Sequence, residues 1–142
     1  MHIRPYDEAD EPQVVALWHE CGLTRPWNDP RRDIARKLGV QREWFLVGTV
    51  DGRIVATLMA GYDGHRGWVN YLAVAPVHRG RGYARAMMHH VEQALLEAGC
   101  PKVNLQVRTS NADAMAFYRR LGYTQDEAVS FGKRLIPDEP AI

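Results

Sequence analysis

The sequence lacks the features that mark several classes of protein. Its two cysteines, Cys21 and Cys100, are far apart, and neither lies in a CxxC pair or beside clustered histidines. We therefore predict no zinc site and no other bound metal. No apolar run approaches the ~20 residues of a membrane span, and residues 1–8 lack the apolar segment of a signal peptide. With no sign of export or of membrane attachment, we expect reduced thiols and a cytoplasmic protein.

An excess of charge of one sign is also missing. Lys and Arg number 18 against 17 Asp and Glu, for a formal net charge of +1. The total charge thus favours neither a nucleic acid nor a membrane surface. The basic residues that do cluster are Arg79, Arg81 and Arg85. A local basic patch on a neutral protein favours a small anionic ligand over a polyanion.

Length and composition predict one globular domain over residues 1–142. Hydrophobic residues make up 46% of the chain and charged residues 25%, which is ordinary for a soluble domain. A chain of this length buries roughly 70% of its unfolded surface, so it can form a core without staples. We find no internal repeat, low-complexity segment or long linker.

The first half of the sequence predicts a strand, two helices and a meander of three strands. Ile3 to Pro5 is the edge strand, Asp10 caps a helix that ends near Gly22, and Asn28 or Asp29 caps a second helix that ends at Leu38. Alternating segments then predict strands over 44–50, 54–60 and 68–74. Asp51-Gly52 between the first two is a strong hairpin signal, because both turn residues must tolerate positive φ.

The second half predicts a βαβ unit followed by a helix and a final strand. A helix opens at Arg81 or Gly82 and ends at Gly99, and a strand follows over 103–107. Ser110 with Asp113 resembles a capping box for a helix through Leu121, and 129–136 predicts the last strand. A strand, helix, strand succession favours a right-handed crossover between parallel strands. The fold class is therefore α/β with a mixed sheet.

The stretch with most chemical information connects a buried strand to a helix. It reads Arg79-Gly80-Arg81-Gly82-Tyr83-Ala84 and follows Pro76. Helix N-termini present unpaired N–H groups and the positive end of the dipole, which bind phosphate oxygens. Glycine lets the backbone approach the anion closely. The dinucleotide pattern G-x-G-x-x-G fails because Arg85 occupies its third glycine position, and no P-loop string occurs.

The turn matches a different pattern. Arg79-x-x-Gly82-x-Ala84 resembles the [RQ]-x-x-G-x-[GA] signature of the GNAT family of N-acetyltransferases, and the stretch from Asn111 to Tyr123 is similar to the family's N-x-x-A-x-x-x-Y-x-x-x-G-[FY]. In detail the chain looks like the small YpeA-type bacterial members. The resemblance implies about seven strands flanked by four helices, with a splayed parallel pair of strands that binds acetyl-CoA as co-substrate.

The resemblance also implies roles for individual residues. The diphosphate would bind at the turn from Arg79 to Ala84, which includes Gly80, Arg81, Gly82 and Tyr83. The pantetheine arm would pair with main-chain groups of Leu72, Ala73 and Val74 and contact Asn111. Tyr118 would lie near the thioester sulfur as general acid, which suits a reaction that expels a thiolate. The implied function is direct transfer of an acetyl group to an amine in a ternary complex.

Several alternatives stay open at this level. Where some relatives have a glutamate as base, this chain has Trp68, so a water chain, Asp29, Asp63 or His65 are candidates. A CoA-binding module without transferase activity is the main rival function, and nucleic-acid binding through the arginines is a weaker one, because the chain shows no basic face interleaved with aromatic residues. The acceptor is a small-molecule or peptide amine, and the chain is a monomer or a homodimer.

Overall fold

The described structure is a mixed sheet of five strands with four helices. A computed structural model describes residues 1–138 of the chain. Its strands are β1 (His2–Pro5), β2 (Phe45–Val50), β3 (Arg53–Tyr62), β4 (Gly67–Val74) and β5 (Val103–Leu105). Its helices are α1 (Glu11–Glu20), α2 (Pro30–Leu38), α3 (Tyr83–Glu97) and α4 (Ala112–Arg120).

The strands lie side by side in chain order. Strands β1 to β4 are antiparallel to their neighbours, whereas β5 runs parallel to β4 after the crossover through α3. The predicted mixed sheet and βαβ unit are thus confirmed. The β2–β3 hairpin turns as predicted at Asp51 and Gly52, which have φ values of 49° and 75°.

Helices cover both faces of the central strand. The run from Ile54 to Ala60 on β3 is buried without alternation, and since successive side chains point to opposite faces, both faces must be covered. Helices α1 and α3 both contact β3 and β4. Trp18 of α1 and Met87 and Met88 of α3 are fully buried. The centre of the sheet is therefore held rigidly from both sides, which fixes the position of β4.

The C-terminal part of the fold differs from the prediction. The expected strand over 129–136 is wrong, because these residues form no strand, and the count of seven strands is not confirmed among residues 1–138. The apolar side chains that suggested a strand face solvent: Val129 is 79% exposed and Phe131 94%. Polar side chains hold the segment instead, as Ser130 accepts from Gln106 (2.5 Å) and Asp126 accepts from Lys102 (2.9 Å).

Two boundaries also need correction. Strand β5 ends at Leu105, not at residue 107, because β4 and β5 separate there. The cap of α4 is Asn111, whose side chain accepts a hydrogen bond from the Ala114 amide (3.1 Å). The capping box predicted at Ser110 and Asp113 is therefore wrong, and Asn111 alone caps the helix. Both thiols are free, as expected.

The different environments of two phenylalanines give a direct test of this fold. Phe45 is fully buried and its ring stacks on Tyr6 at 4.3 Å, so Phe45→Ala should lower the free energy of unfolding by about 3–5 kcal/mol. Phe131→Ala should lower it by less than about 0.5 kcal/mol. Urea denaturation of both variants measures the difference. A large loss in Phe131→Ala would show that the 129–136 segment is packed after all.

Candidate functional site

A cleft opens where β4 and β5 separate. The two strands pair from Gly67 with Val103 to Val69 with Leu105, and β4 then continues alone to Val74. The resulting cleft has a volume of about 1580 Å³. Among the side chains that line it are Cys21, Asp33, Trp68, Tyr71, Asn111 and Tyr118. The splayed parallel pair that the resemblance implied is thus present, with Leu72, Asn111 and Tyr118 around one cavity.

A β-bulge lies in β4 just beyond the last paired residue. The register with β3 shifts between Thr57, which faces Ala73, and Met59, which faces Asn70. Tyr71 in the bulge has a φ of 53°, a conformation that residues other than glycine rarely adopt. Bulges bend a strand and increase its twist. The bulge therefore turns β4 away from the line of β5.

Several contacts hold Tyr71 in this conformation. The Thr57 hydroxyl donates to the Tyr71 carbonyl (2.9 Å) and accepts from Nε1 of Trp18 (2.9 Å). The Tyr71 ring stacks on the Trp18 ring, with centroids 3.9 Å apart. The Tyr71 hydroxyl donates to Asp33 Oδ2 (2.6 Å). Burial, together with this carboxylate, raises the pKa of Tyr71.

The ladder between β3 and β4 fixes which main-chain groups face the open side. The Ala75 amide donates to the Val55 carbonyl (2.8 Å). Hydrogen-bonded pairs alternate along an antiparallel ladder, so Ala73 is the next residue that bonds to β3. Val74 then directs its N–H and C=O groups to the opposite edge, where β5 is missing, whereas Leu72 lies in the bulge. This edge offers strand-like pairing to a ligand.

The glycine turn beyond Val74 delivers the N-terminus of α3. Gly80 and Gly82 have φ values of 78° and 79°, and Gly82 is the N-cap. The first intrahelical amide bond is from Ala86 to the Gly82 carbonyl (3.0 Å), and no side chain within residues 1–138 caps the helix. The amides of Tyr83, Ala84 and Arg85 therefore remain available to an anion.

The side chain of Arg79 folds back along β4. Its Nε donates to the Val74 carbonyl (3.2 Å), and Nη2 contacts Cys21 Sγ (3.6 Å). The Cys21 thiol donates to the same carbonyl (3.4 Å). Cys21 lines the cleft, whereas Ala73, Val74 and residues 79–84 lie outside its lining. The turn thus borders the cleft at the free end of β4, with Arg79 and Cys21 between them.

Helix α4 brings Asn111 and Tyr118 to the cleft. The side-chain oxygen of Asn111, Oδ1, caps the helix. The NH₂ group of the same side chain is therefore free to donate elsewhere. Tyr118 is half-buried against the edges of Phe117 and Tyr123. Burial raises the pKa of Tyr118 to about 12. The phenol therefore keeps its proton throughout the neutral range and can act as a hydrogen-bond donor.

Two carboxylate pairs lining the cleft were not found from the sequence. Besides Asp33 with Tyr71, Glu92 of α3 accepts from the Tyr123 hydroxyl (2.5 Å), and burial with this carboxylate raises the pKa of Tyr123. Asp33 lies on α2 and also accepts from Arg36 (3.1 Å). Long-range pairs of this kind leave no local signal in a single sequence.

Two of the base candidates, Asp29 and Asp63, have structural tasks. Asp29 caps α2 by accepting from the Arg31 amide (2.9 Å). Asp63 accepts from the amides of Arg66 and His65 (both 2.7 Å), and these bonds hold its pKa below the ordinary value. The turn that contains Asp63 and His65 precedes Gly67. It lies roughly 13 Å along β4 from the bulge, at ~3.3 Å per residue. Trp68 itself is 39% exposed and faces the cleft.

Residues 1–138 contain no group of three or more His, Cys, Asp or Glu side chains placed to hold a metal ion. None of the helices described over that range is long and apolar enough to cross a membrane.

Comparison with known proteins agrees with this geometry. The acetyltransferase (GNAT) family model matches residues 8–123. Acetyltransferase YE1169 of Yersinia enterocolitica is 47% identical over 139 residues, which cover 98% of this chain and 99% of the relative.

Solved structures share the fold at low identity. The PaiA N-acetyltransferase of Thermoplasma acidophilum, in complex with coenzyme A, has a TM-score of 0.81 at 13% identity, covering 90% of this chain and 92% of that one. An aminoglycoside 6'-N-acetyltransferase of Acinetobacter haemolyticus has a TM-score of 0.76 at 21% identity, covering 96% and 99%.

The family match and the acetyltransferase relatives make this chain an acyltransferase. The chain belongs to the GNAT family of acetyltransferases. It is accordingly an enzyme of acetyl transfer, with acetyl-CoA as the donor and an amine as the acceptor.

Glycines at the two ends of α3 test the anion site. Gly82 and Gly99 both have positive φ, and a Cβ on either would meet no protein atom within 4 Å. Alanine at either position should lower the free energy of unfolding by roughly 1–2 kcal/mol through backbone strain alone. Only Gly82→Ala should also weaken CoA binding, by about tenfold, because the strain tilts the first amides of the helix.

Isothermal titration of CoA into the wild type and both variants measures this effect. Equal affinities of Gly82→Ala and Gly99→Ala for CoA would remove the α3 N-terminus from the binding site.

Proposed function

We propose that this single-domain enzyme transfers the acetyl group of acetyl-CoA directly to an amine within a ternary complex. The observation that carries the proposal is the unpaired edge of β4. It offers the main-chain groups of Leu72 and Val74 between an open helix N-terminus at one end and Tyr118 on the facing helix.

The diphosphate would bind at residues 79–84. The free amides of Tyr83, Ala84 and Arg85 supply donors, and the helix dipole favours the negative charge. Gly80, Arg81 and Gly82 form the turn that leads to these amides. The absence of Cβ atoms on the two glycines keeps the backbone accessible to the diphosphate. Arg79 leaves the Val74 carbonyl when the coenzyme arrives, which frees both the guanidinium and that carbonyl for the ligand.

The pantetheine arm would then run along β4 as an added strand. Leu72 and Val74 pair with its amides, whereas Ala73 keeps β4 bonded to β3 and holds the edge in place. Asn111 faces the arm from α4 with its free NH₂ group. The arm thus occupies the place beside β4 that β5 would fill if it continued beyond Leu105.

The chemistry follows from this placement. The amine nitrogen attacks the thioester carbonyl carbon, a C–N bond forms, and negative charge develops on the carbonyl oxygen, which the Leu72 N–H stabilises. The intermediate then collapses, the C–S bond breaks, and Tyr118 donates a hydrogen bond to the departing thiolate. The surplus amine proton passes to water in the open cleft.

The acceptor would enter from the side opposite the coenzyme. That side of the cleft is lined by Arg25, Asn28 and Asp33, from α2 and the connection that precedes it. The aminoglycoside enzyme that shares the fold is a precedent for a small-molecule amine, and a peptide amine fits the same opening. An acceptor screen that follows thiol release from acetyl-CoA is the deciding experiment. Saturable acetyl-CoA binding with no thiol release across a broad amine panel would favour a binding module instead.

Replacement of Tyr118 separates chemistry from binding. Tyr118→Phe removes only the hydroxyl and should lower kcat by about a hundredfold, the usual size of a general-acid contribution, while the affinity for acetyl-CoA stays within about twofold, since the ring remains. Tyr62→Phe is the matched control, because the Tyr62 hydroxyl contacts the Gly64 and Gly99 carbonyls (3.3 and 3.4 Å). An unchanged kcat in Tyr118→Phe with a good acceptor would exclude this tyrosine from the mechanism.

A further inference from the structure

The bulge in β4 is maintained by a residue that no sequence motif identifies. Thr57 lies in the middle of β3 and is fully buried. It is one of three buried polar or charged residues in the described part of the chain. Its hydroxyl satisfies two partners at once, the Tyr71 carbonyl and the Trp18 indole N–H, each at 2.9 Å. A buried hydroxyl with both functions filled is a fixed element of the structure.

We propose that Thr57 is a positioning residue for acetyl transfer: by holding the Tyr71 carbonyl, it aims the Leu72 N–H at the thioester oxygen. The inference rests on the function proposed above. It adds a residue from β3, which does not touch the coenzyme, to the apparatus that stabilises the oxyanion.

The geometry of the peptide bond makes this connection. The Tyr71 C=O and the Leu72 N–H belong to one planar trans peptide, so they point in opposite directions. Thr57 binds the carbonyl on the side of β3 and α1. The N–H therefore points away from Thr57, and the proposal places the thioester oxygen on that side. Rotation of this peptide by a few tens of degrees would move the donor off the thioester oxygen.

The backbone of Tyr71 needs an external restraint. At a φ of 53°, a tyrosine lies in a region that costs roughly 1–2 kcal/mol for a residue with a Cβ. Stacking on Trp18 and the bond to Asp33 restrain the side chain, and the Thr57 hydroxyl restrains the carbonyl. Thr57 is therefore the side chain that acts on the peptide plane itself.

Three substitutions separate positioning from stability. Thr57→Val preserves shape but removes the donor, and should lower kcat by about tenfold or more with KM for acetyl-CoA within about twofold, because a misdirected oxyanion donor weakens only the transition state. Thr57→Ser restores the hydroxyl and should recover kcat to within about threefold of wild type. Thr49→Val makes the same change on β2, where the hydroxyl reaches only the His2 carbonyl (3.5 Å), and should leave kcat unchanged.

Trp18→Phe gives a further comparison. It keeps an aromatic ring against Tyr71 and removes the indole N–H, yet leaves the Thr57 hydroxyl free to donate to the Tyr71 carbonyl. If Thr57 acts through that carbonyl, Trp18→Phe loses less kcat than Thr57→Val even where its melting temperature falls further. Losses of kcat that follow melting temperature across all four variants would overturn the proposal.

A spectroscopic measurement tests the donor without turnover. Infrared spectra of bound acetyl-CoA labelled with ¹³C at the acetyl carbonyl report the hydrogen bond, because a donor on the oxygen lowers the C=O stretching frequency. Wild type and Thr57→Ser should show the lowered frequency, and Thr57→Val should return toward that of free acetyl-CoA while CoA itself binds equally well. An identical shift in wild type and Thr57→Val would refute the role of Thr57 alone. Failure of the wild type to bind acetyl-CoA would refute the proposed function.

Discussion

The end of the β4–β5 ladder is the constraint on which the site depends. Buried backbone N–H and C=O groups need partners, and β4 has partners on both sides only as far as Val69. Beyond that residue its outer edge is a strand without a neighbour. The edge is also short and recessed in a cleft, which keeps it from pairing with other proteins. A flexible chain with amide groups, such as pantetheine, is the kind of ligand that completes it.

One helix connects this edge to the anion site. Because parallel strands need a crossover, α3 must begin at the carboxyl end of β4 and return to the start of β5. The N-terminus of α3 therefore lies at the end where the two strands part, and its free amides follow Val74 after one short turn. The bulge at Tyr71 widens the gap on the same side. Strand edge, turn and helix N-terminus are thus placed in line by the topology, with few side chains involved.

The sequence predicts what depends on local patterns. Asp51-Gly52, the left-handed cap at Gly99 and the strand–helix–strand order all follow from residues close in the chain, and the structure confirms them. The Tyr71 conformation, the Thr57 contact and the Asp33 carboxylate depend on partners far apart in sequence, which no periodicity marks. The prediction of a strand over 129–136 was wrong for a related reason: β-branched and aromatic residues favour a strand only where another strand pairs with them.

In the proposed mode, coenzyme and acceptor bind to different parts of the cleft, and this explains why the amino-acid composition does not identify the acceptor. In the proposed binding mode, coenzyme recognition falls on main-chain groups of β4 and α3, which almost any side chain would leave intact. The proposed acceptor side is formed by side chains of the α1–α2 connection and α2, where Asp33 is already shared by Tyr71 and Arg36. Charges there are largely paired, so total charge does not reflect the ligand. Differences in acceptor among proteins of this fold should then arise on α2 and the segment before it, without any change in β4.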